Sequence, residues 1–317
     1  MMSSLFLLLA CSVSIRAMEA AEGSFGSHGP REVRVVRAGA KACISWKEVK
    51  GATSYRLQYS TRPTFPKGKT RTVYVKGKTF KKLKNLKAKK TYYFRVQASR
   101  KVKDKVCRTP WSEPEEIQTF TAQRIPDEVF ERMRGKSFPA KGEKSLIRRK
   151  DLRYLRLWYV GFDGESKLGE MVCNKEAAAD IVDIFYDLYL KEYPIESIRL
   201  IDDFDANDEL SMEANNTSCF CYRLIGGTDR LSNHGLGFAV DLNPLYNPQV
   251  FTDEYGIYSY PYGSEAYADR TKDFPYKIDR KDAAYKLFKR HGFSWGGRWD
   301  GKNDYMHFEI ENDIGGY

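Results

Sequence analysis

Ser232-Asn233-His234-Gly235-Leu236-Gly237-Phe238-Ala239-Val240-Asp241 places an imidazole and a carboxylate seven residues apart, with two glycines between them. Glycine adopts backbone angles that other residues avoid, so a tight turn after His234 is allowed. Residues 238–241, apolar up to Val240, fit a short strand that carries Asp241 back beside His234. A third group of the same chemistry lies near the end of the chain, in Asp304-Tyr305-Met306-His307-Phe308-Glu309. Strand alternation there sets His307 and Glu309 on one face. Two imidazoles and one carboxylate are a common ligand set for catalytic zinc, which keeps its fourth position open for water.

The residues around these motifs read as mixed helix and strand. The stretch 152–160 alternates, Gly161-Phe162-Asp163-Gly164 is turn chemistry, and a second strand to Cys173 completes a hairpin. Asn174 is placed to cap the helix that follows. Ala178, Ile181, Val182, Ile184, Phe185, Leu188 and Tyr189 form its apolar stripe and Pro194 stops it. Further strands fit 197–201 and 238–242, and a helix fits 281–291, ending at Gly292. Helices and strands without βαβ repetition point to α+β.

Ser232, His234, Gly237, Ala239 and Asp241, followed far downstream by Asp304 with His307 and Phe308, resemble the motif of the M15 peptidase family. Leu152-Arg153-Tyr154-Leu155, Gly161-Phe162-Asp163-Gly164, and Asn215-Asn216-Thr217-Ser218 leading to Tyr222-Arg223 are similar to its branch of phage L-alanyl-D-glutamate endolysins and related carboxypeptidases. The resemblance spans 150–310. It implies a Hedgehog/D-Ala-D-Ala peptidase-like domain that binds Zn2+ through His234, Asp241 and His307 and hydrolyses peptidoglycan stem peptides. Asp304 would be the general base, or else only a support for His307. Arg223 would sit by the substrate, stabilising the oxyanion or holding a stem-peptide carboxylate, or else be only a surface or ion-pair arginine. Ser232 would orient substrate or a ligand rather than act as nucleophile. Removal of a terminal D-alanine is the first expectation and cleavage between L-alanine and D-glutamate the alternative. A non-catalytic wall-binding protein that kept its zinc is a third, as the similar zinc site of Hedgehog signalling domains illustrates. Asp304 favours catalysis, because a pure binding site has no need of a base at that spacing. Cys219 and Cys221 depart from the small or amide residues more common before Arg223, and a thiol beside zinc would make activity less secure than metal binding.

The first part of the chain reads differently. Runs at 42–46, 55–59, 72–75 and 92–96 alternate with β-branched and aromatic residues, which suggests a β-sandwich. Trp46, Tyr55, Leu86 followed by Tyr92 and Val96, and Trp111-Ser112-Glu113-Pro114 resemble a fibronectin type III domain. The resemblance implies that the Tyr92 hydroxyl bonds back to the main chain and that the domain is a spacer or binding module. Residues 31–122 hold 25 Lys+Arg against 6 Asp+Glu, whereas 151–317 hold 18 against 30. Charge of one sign on one domain points to an anionic polymer. In an exported protein wall polymers, lipid head groups and extracellular nucleic acid all qualify, with a wall polymer the expected partner and no sequence-specific nucleic acid expected; a solubilising surface is the plainer alternative.

The expected chain is therefore multidomain: a signal peptide at 1–22, the sandwich at 31–122, a charged linker at 123–150 and the α+β peptidase domain at 151–317. The signal reading comes from Leu5 to Ala10, too short to span a bilayer, and implies a secreted or wall-associated protein without a transmembrane segment. Leu8-Leu9-Ala10-Cys11 leaves a lipoprotein-type site open. Beyond Cys11 five cysteines remain at irregular spacing, so no disulfide framework is visible. Cys43 and Cys107 either pair or stay as thiols, the latter being favoured.

Overall fold

The computed structural model describes residues 25, 27–103, 105–113, 117–254 and 256–311; the expected signal segment, with Cys11, lies outside them. The chain divides into two compact units, Met1–Gln118 and Thr119–Tyr317. Among the described residues no helix is long and apolar enough to cross a membrane.

The first unit is a sandwich of β1 (Arg34–Ala38), β2 (Lys41–Ser45), β3 (Ser54–Ser60), β4 (Thr70–Lys76), β5 (Phe80–Leu83), β6 (Tyr93–Val102) and β7 (Lys105–Arg108). One sheet runs β1-β2-β5 and the other β4-β3-β6-β7, all antiparallel. Alternation decides what each strand buries: Tyr55 and Leu57 of β3 enter the core with Ile44, Trp46, Phe94 and Val96, while Arg56 and Gln58 face outward. Trp46 and Tyr55 pack with ring centroids 5.2 Å apart. The Tyr92 hydroxyl accepts the Lys87 amide at 3.2 Å, the corner bond expected from sequence. Arg37 fixes the same loop by donating to the carbonyls of Lys87, Ala88 and Lys90. Cys43 and Cys107 are free thiols on strands of different sheets.

In the second unit β8 (Ile117–Gln123) pairs through 121–123 with β9 (Leu152–Val160), which forms the expected hairpin with β10 (Ser166–Asn174). The segment expected as a linker, 123–150, is instead folded into this unit. Its helix α1 (Asp127–Met133) buries Val129, Phe130 and Met133, and Ile125, Phe138 and Ile147 join Leu152, Tyr154 and Phe220 in the same core cluster. Ser137 donates its amide and hydroxyl to the Asp202 carboxylate at 3.2 and 3.0 Å, and Arg132 reaches both Glu170 and Asp203. The charged residues that suggested a linker lie mostly at the surface and outnumber a small apolar set spaced for one helix face.

Helix α2 (Ala178–Tyr189) buries its predicted stripe against β9, with Ile181, Ile184 and Phe185 fully enclosed. Asn174 does not cap it: the helix starts after Ala177, and the Asn174 side-chain oxygen Oδ1 accepts the Glu176 amide in the preceding turn. The expected strand at 197–201 shortens to β11 (Ser197–Ile198), because Ile201 opens a 3-10 turn. There follow α3 (Asp208–Glu213), β12 (Asn216–Thr217), α4 (Asn233–Leu236), β13 (Ala239–Asp241), β14 (Gln249–Asp253), β15 (Gly256–Tyr260), α5 (Ala283–Arg290), β16 (Ser294–Trp295), β17 (Lys302–Asp304) and β18 (His307–Glu309). They pair as β13-β18-β16, β15-β14-β17 and the parallel pair β11-β12.

Two stability outcomes follow from these contacts. Tyr92→Phe removes the corner hydrogen bond and lowers the sandwich's unfolding free energy by about 1 kcal/mol, read from Trp46 fluorescence in a denaturant titration. Phe130→Ala leaves a cavity beside Phe138, whose ring lies 5.1 Å away, and destabilises the second unit by roughly 3 kcal/mol. A free linker would show no change.

Candidate metal centre and its cleft

Strand pairing brings the distant motifs together. β13 and β18 are antiparallel with Asp241 opposite His307, and the residues between, Val240 and Phe308, are fully buried, so the alternate side chains share the open face. His234 arrives on α4, whose first turn is capped by Ser232: its hydroxyl oxygen accepts the Gly235 amide at 3.0 Å. Gly237 ends that helix at φ +76°, and a Cβ there would lie 2.6 Å from the Asn174 nitrogen. The Asn174 amide donates to the Gly237 carbonyl at 2.8 Å and its side chain to the Leu236 carbonyl at 3.0 Å, which pins α4 to β10.

The result is a buried group in which one ligand atom each from His234, Asp241 and His307 lies within 4.8 Å of the others. His234 Nε2 is 3.2 Å from Asp241 Oδ2 and 3.2 Å from His307 Nδ1, and His307 Nδ1 is 3.1 Å from Asp241 Oδ1. The remaining ring nitrogens are held from outside. His234 Nδ1 meets the Cys219 carbonyl at 2.6 Å, and His307 Nε2 meets Glu309 Oε2 at 2.8 Å. Asn233 donates to that same Glu309 oxygen at 2.6 Å. Such outer contacts fix the tautomer and ring angle of a metal-binding histidine.

Charge in the group favours a cation. Burial pushes the Asp241 carboxyl up, but His234 and His307 pull it well below the usual carboxylate range. Burial pulls His307 down, yet its hydrogen bonds to Asp241 and Glu309 lift it to about 10. Asp304, on β17 opposite Gln249, is pushed up to about 6 by burial and then by the Asp241 charge. Gln249 donates to Asp304 Oδ2 at 2.8 Å, while the buried Oδ1 has no partner. Gly296 allows this closeness, since a Cβ there would stand 2.7 Å from the Asp304 carbonyl and 3.3 Å from His307 Cβ. A donor set of two imidazoles and a carboxylate, turned inward and steadied from behind, fits a zinc ion.

The group opens into a cavity of about 520 Å3. Arg223 lines it and its guanidinium meets the Asp208 carboxylate on α3. Ser232, Gln249, Lys302 and Asp304 line it too, with Tyr260 and Trp299 as aromatic walls; the Trp299 ring is 5.1 Å from that of His307. Of the other aromatic side chains in this part of the chain, Trp295 is buried and donates to the Tyr305 carbonyl, and Tyr258 and Tyr262 are exposed. Tyr255 lies outside the described residues. The thiols of Cys219 and Cys221 point away, toward the carbonyls of Gly237 and Ala206, and burial pushes both up, Cys221 to about 12. Residue 219 contributes its carbonyl to the site. Sequence reading found His234, Asp241, Asp304 and His307; it placed Glu309 beside His307 without a role and missed Gln249, whose partner is set only by the β14–β17 register.

Residues 226–310 match a family model described as D-alanyl-D-alanine carboxypeptidase. The match includes all three candidate ligands and Asp304, leaves Arg223 outside, and supports an M15-type peptidase domain in the second unit. No curated protein matches the chain. Among solved structures, an Fn3-like protein from Clostridium thermocellum is 22% identical over 29% of this chain and 92% of its own, with a TM-score of 0.25. The fn3 domain of human contactin 1 is 22% identical over 29% of this chain and 78% of its own, with a TM-score of 0.24.

Glu309→Gln weakens zinc binding roughly 10–100-fold, because the His307 ring loses its charged anchor. Competition against a chelating dye measures it, and an unchanged affinity would mean that the carboxylate does not set the ring.

Proposed function

We propose that the second unit is a zinc-dependent peptidase that removes a terminal D-alanine from peptidoglycan stem peptides, with His234, Asp241 and His307 holding the metal. The observation that carries this reading is the meeting, in one cavity, of three inward-facing ligand atoms and the unpartnered buried oxygen of Asp304. Zinc, when bound, supplies a Lewis acid that polarises a carbonyl and acidifies water. Asp304 is positioned for the proton work: Gln249 holds Oδ2, so Oδ1 is left to take a proton from water and return it to the leaving amine. Arg223, paired with Asp208, and Lys302 bring cationic groups to a cleft that otherwise holds carboxylates. That favours a substrate with a free terminal carboxylate, and so a carboxypeptidase over an L-alanyl-D-glutamate endopeptidase. Tyr260 and Trp299 wall the cleft and offer ring faces to a bound peptide. Work on the wall requires export, in keeping with the apolar run from Leu5 to Ala10.

Incubation with defined muropeptides and mass readout tests this. Terminal alanine is released, chelation abolishes the release, and added zinc restores it. Asp304→Asn lowers kcat by about 10²–10⁴-fold while zinc stays bound. Release at the L-alanyl-D-glutamate bond would reassign the specificity, and a zinc-loaded chain that cleaves nothing would be a binding protein.

A further inference from the structure

Tyr74 and Phe80 leave 73% and 42% of their surface exposed, although the sandwich that carries them has a filled core. They stand on β4 and β5, the terminal strands of their sheets at one edge of the sandwich, joined by a turn through Gly77 at φ +65°. Between these strands lies a groove of about 370 Å3, lined by Tyr74, Lys76, Lys78, Phe80, Lys81 and Lys82 above the buried Val75. None of the described residues lining it is acidic. The Lys78 ammonium lies 5.6 Å from the centre of the Phe80 ring, so ring and charge share one surface. Lysines on an edge strand deter pairing with other strands, which accounts for the charges but not for two exposed rings among them.

We propose that this groove binds an anionic glycan of the cell wall, its lysines holding phosphate or carboxylate groups while Tyr74 and Phe80 stack on the apolar faces of sugar rings. Lysine is a mobile point charge and suits anions repeated along a flexible polymer, where an arginine fork suits one fixed anion. The 25 basic against 6 acidic residues of 31–122 draw such a polymer in. The choice of a wall glycan rests on the peptidase reading above: a polymer attached to the substrate raises the local concentration of stem peptides around the second unit.

Sedimentation of the full chain with purified wall sacculi, before and after their phosphate-bearing polymers are stripped, tests the groove. Two variants accompany it, Tyr74→Ala with Phe80→Ala, and Lys76, Lys78, Lys81 and Lys82 all changed to Gln. Both variants lose about tenfold or more in affinity for unstripped sacculi, roughly 1.4 kcal/mol, and keep the parent's thermal unfolding. The lysine variant also flattens the salt dependence, whereas the ring variant retains it. Equal binding of the parent to stripped sacculi overturns the proposal. So does tighter binding to oligothymidylate than to the released polymer, or a ring variant that binds as the parent does. None of these readouts depends on cleavage, so a failed groove and a failed peptidase are told apart.

Discussion

Asp241 stands opposite His307 because β13 runs antiparallel to β18, and a slip of β18 by one residue would turn His307 to the face away from Asp241. The residues between them prevent the slip. Phe308 stacks on Phe288 of α5 with centroids 4.2 Å apart, and Phe288 also meets Phe185 of α2 and Phe293. Burying such a ring stabilises by a few kcal/mol, far more than the pairing of a three-residue strand supplies alone. Register at the metal centre is thus set from the apolar side of the sheet, and the polar side inherits it. The stripe on α2, which looks like ordinary core, positions ligands through α5 and Phe308.

The polar side is organised by electrostatics of one sign. Asp241, Asp304 and Glu309 surround two buried imidazoles at the cleft, and only partners of positive charge relieve their mutual repulsion. Three of the outer contacts come from separate parts of the chain: the Cys219 carbonyl, Glu309 with Asn233, and Gln249. Each fixes one side chain's direction without competing for the inward-facing atoms. A site prepared this way loses little freedom when it takes up an ion, which concentrates binding free energy on the metal rather than on ordering the protein.

How much of this was legible in the sequence depended on whether the signal was local. The meeting of His234, Asp241, His307 and Asp304 in one cavity was legible because residue type and spacing both survive in a short motif, and the α2 stripe because helical period repeats over three turns. The sandwich was legible through alternation, and its corner tyrosine through spacing from Leu86. Gln249 could not be read, since its meeting with Asp304 depends on a pairing across more than fifty residues. The segment 123–150 was misread because charge dominates its composition while only a few apolar residues, Ile125, Val129, Phe130, Met133, Phe138 and Ile147, decide its burial. At Cys219 the side chain attracted notice although the functional atom belongs to the backbone, which any residue type supplies.

His307 lies 66 residues from Asp241 and 73 from His234. A helix that carries two histidines a turn apart can seize a metal while the rest of its protein is still a coil. Here no stretch of coil holds the set, so the three ligand atoms meet only once the last strand has docked, and affinity for an ion is tied to folding.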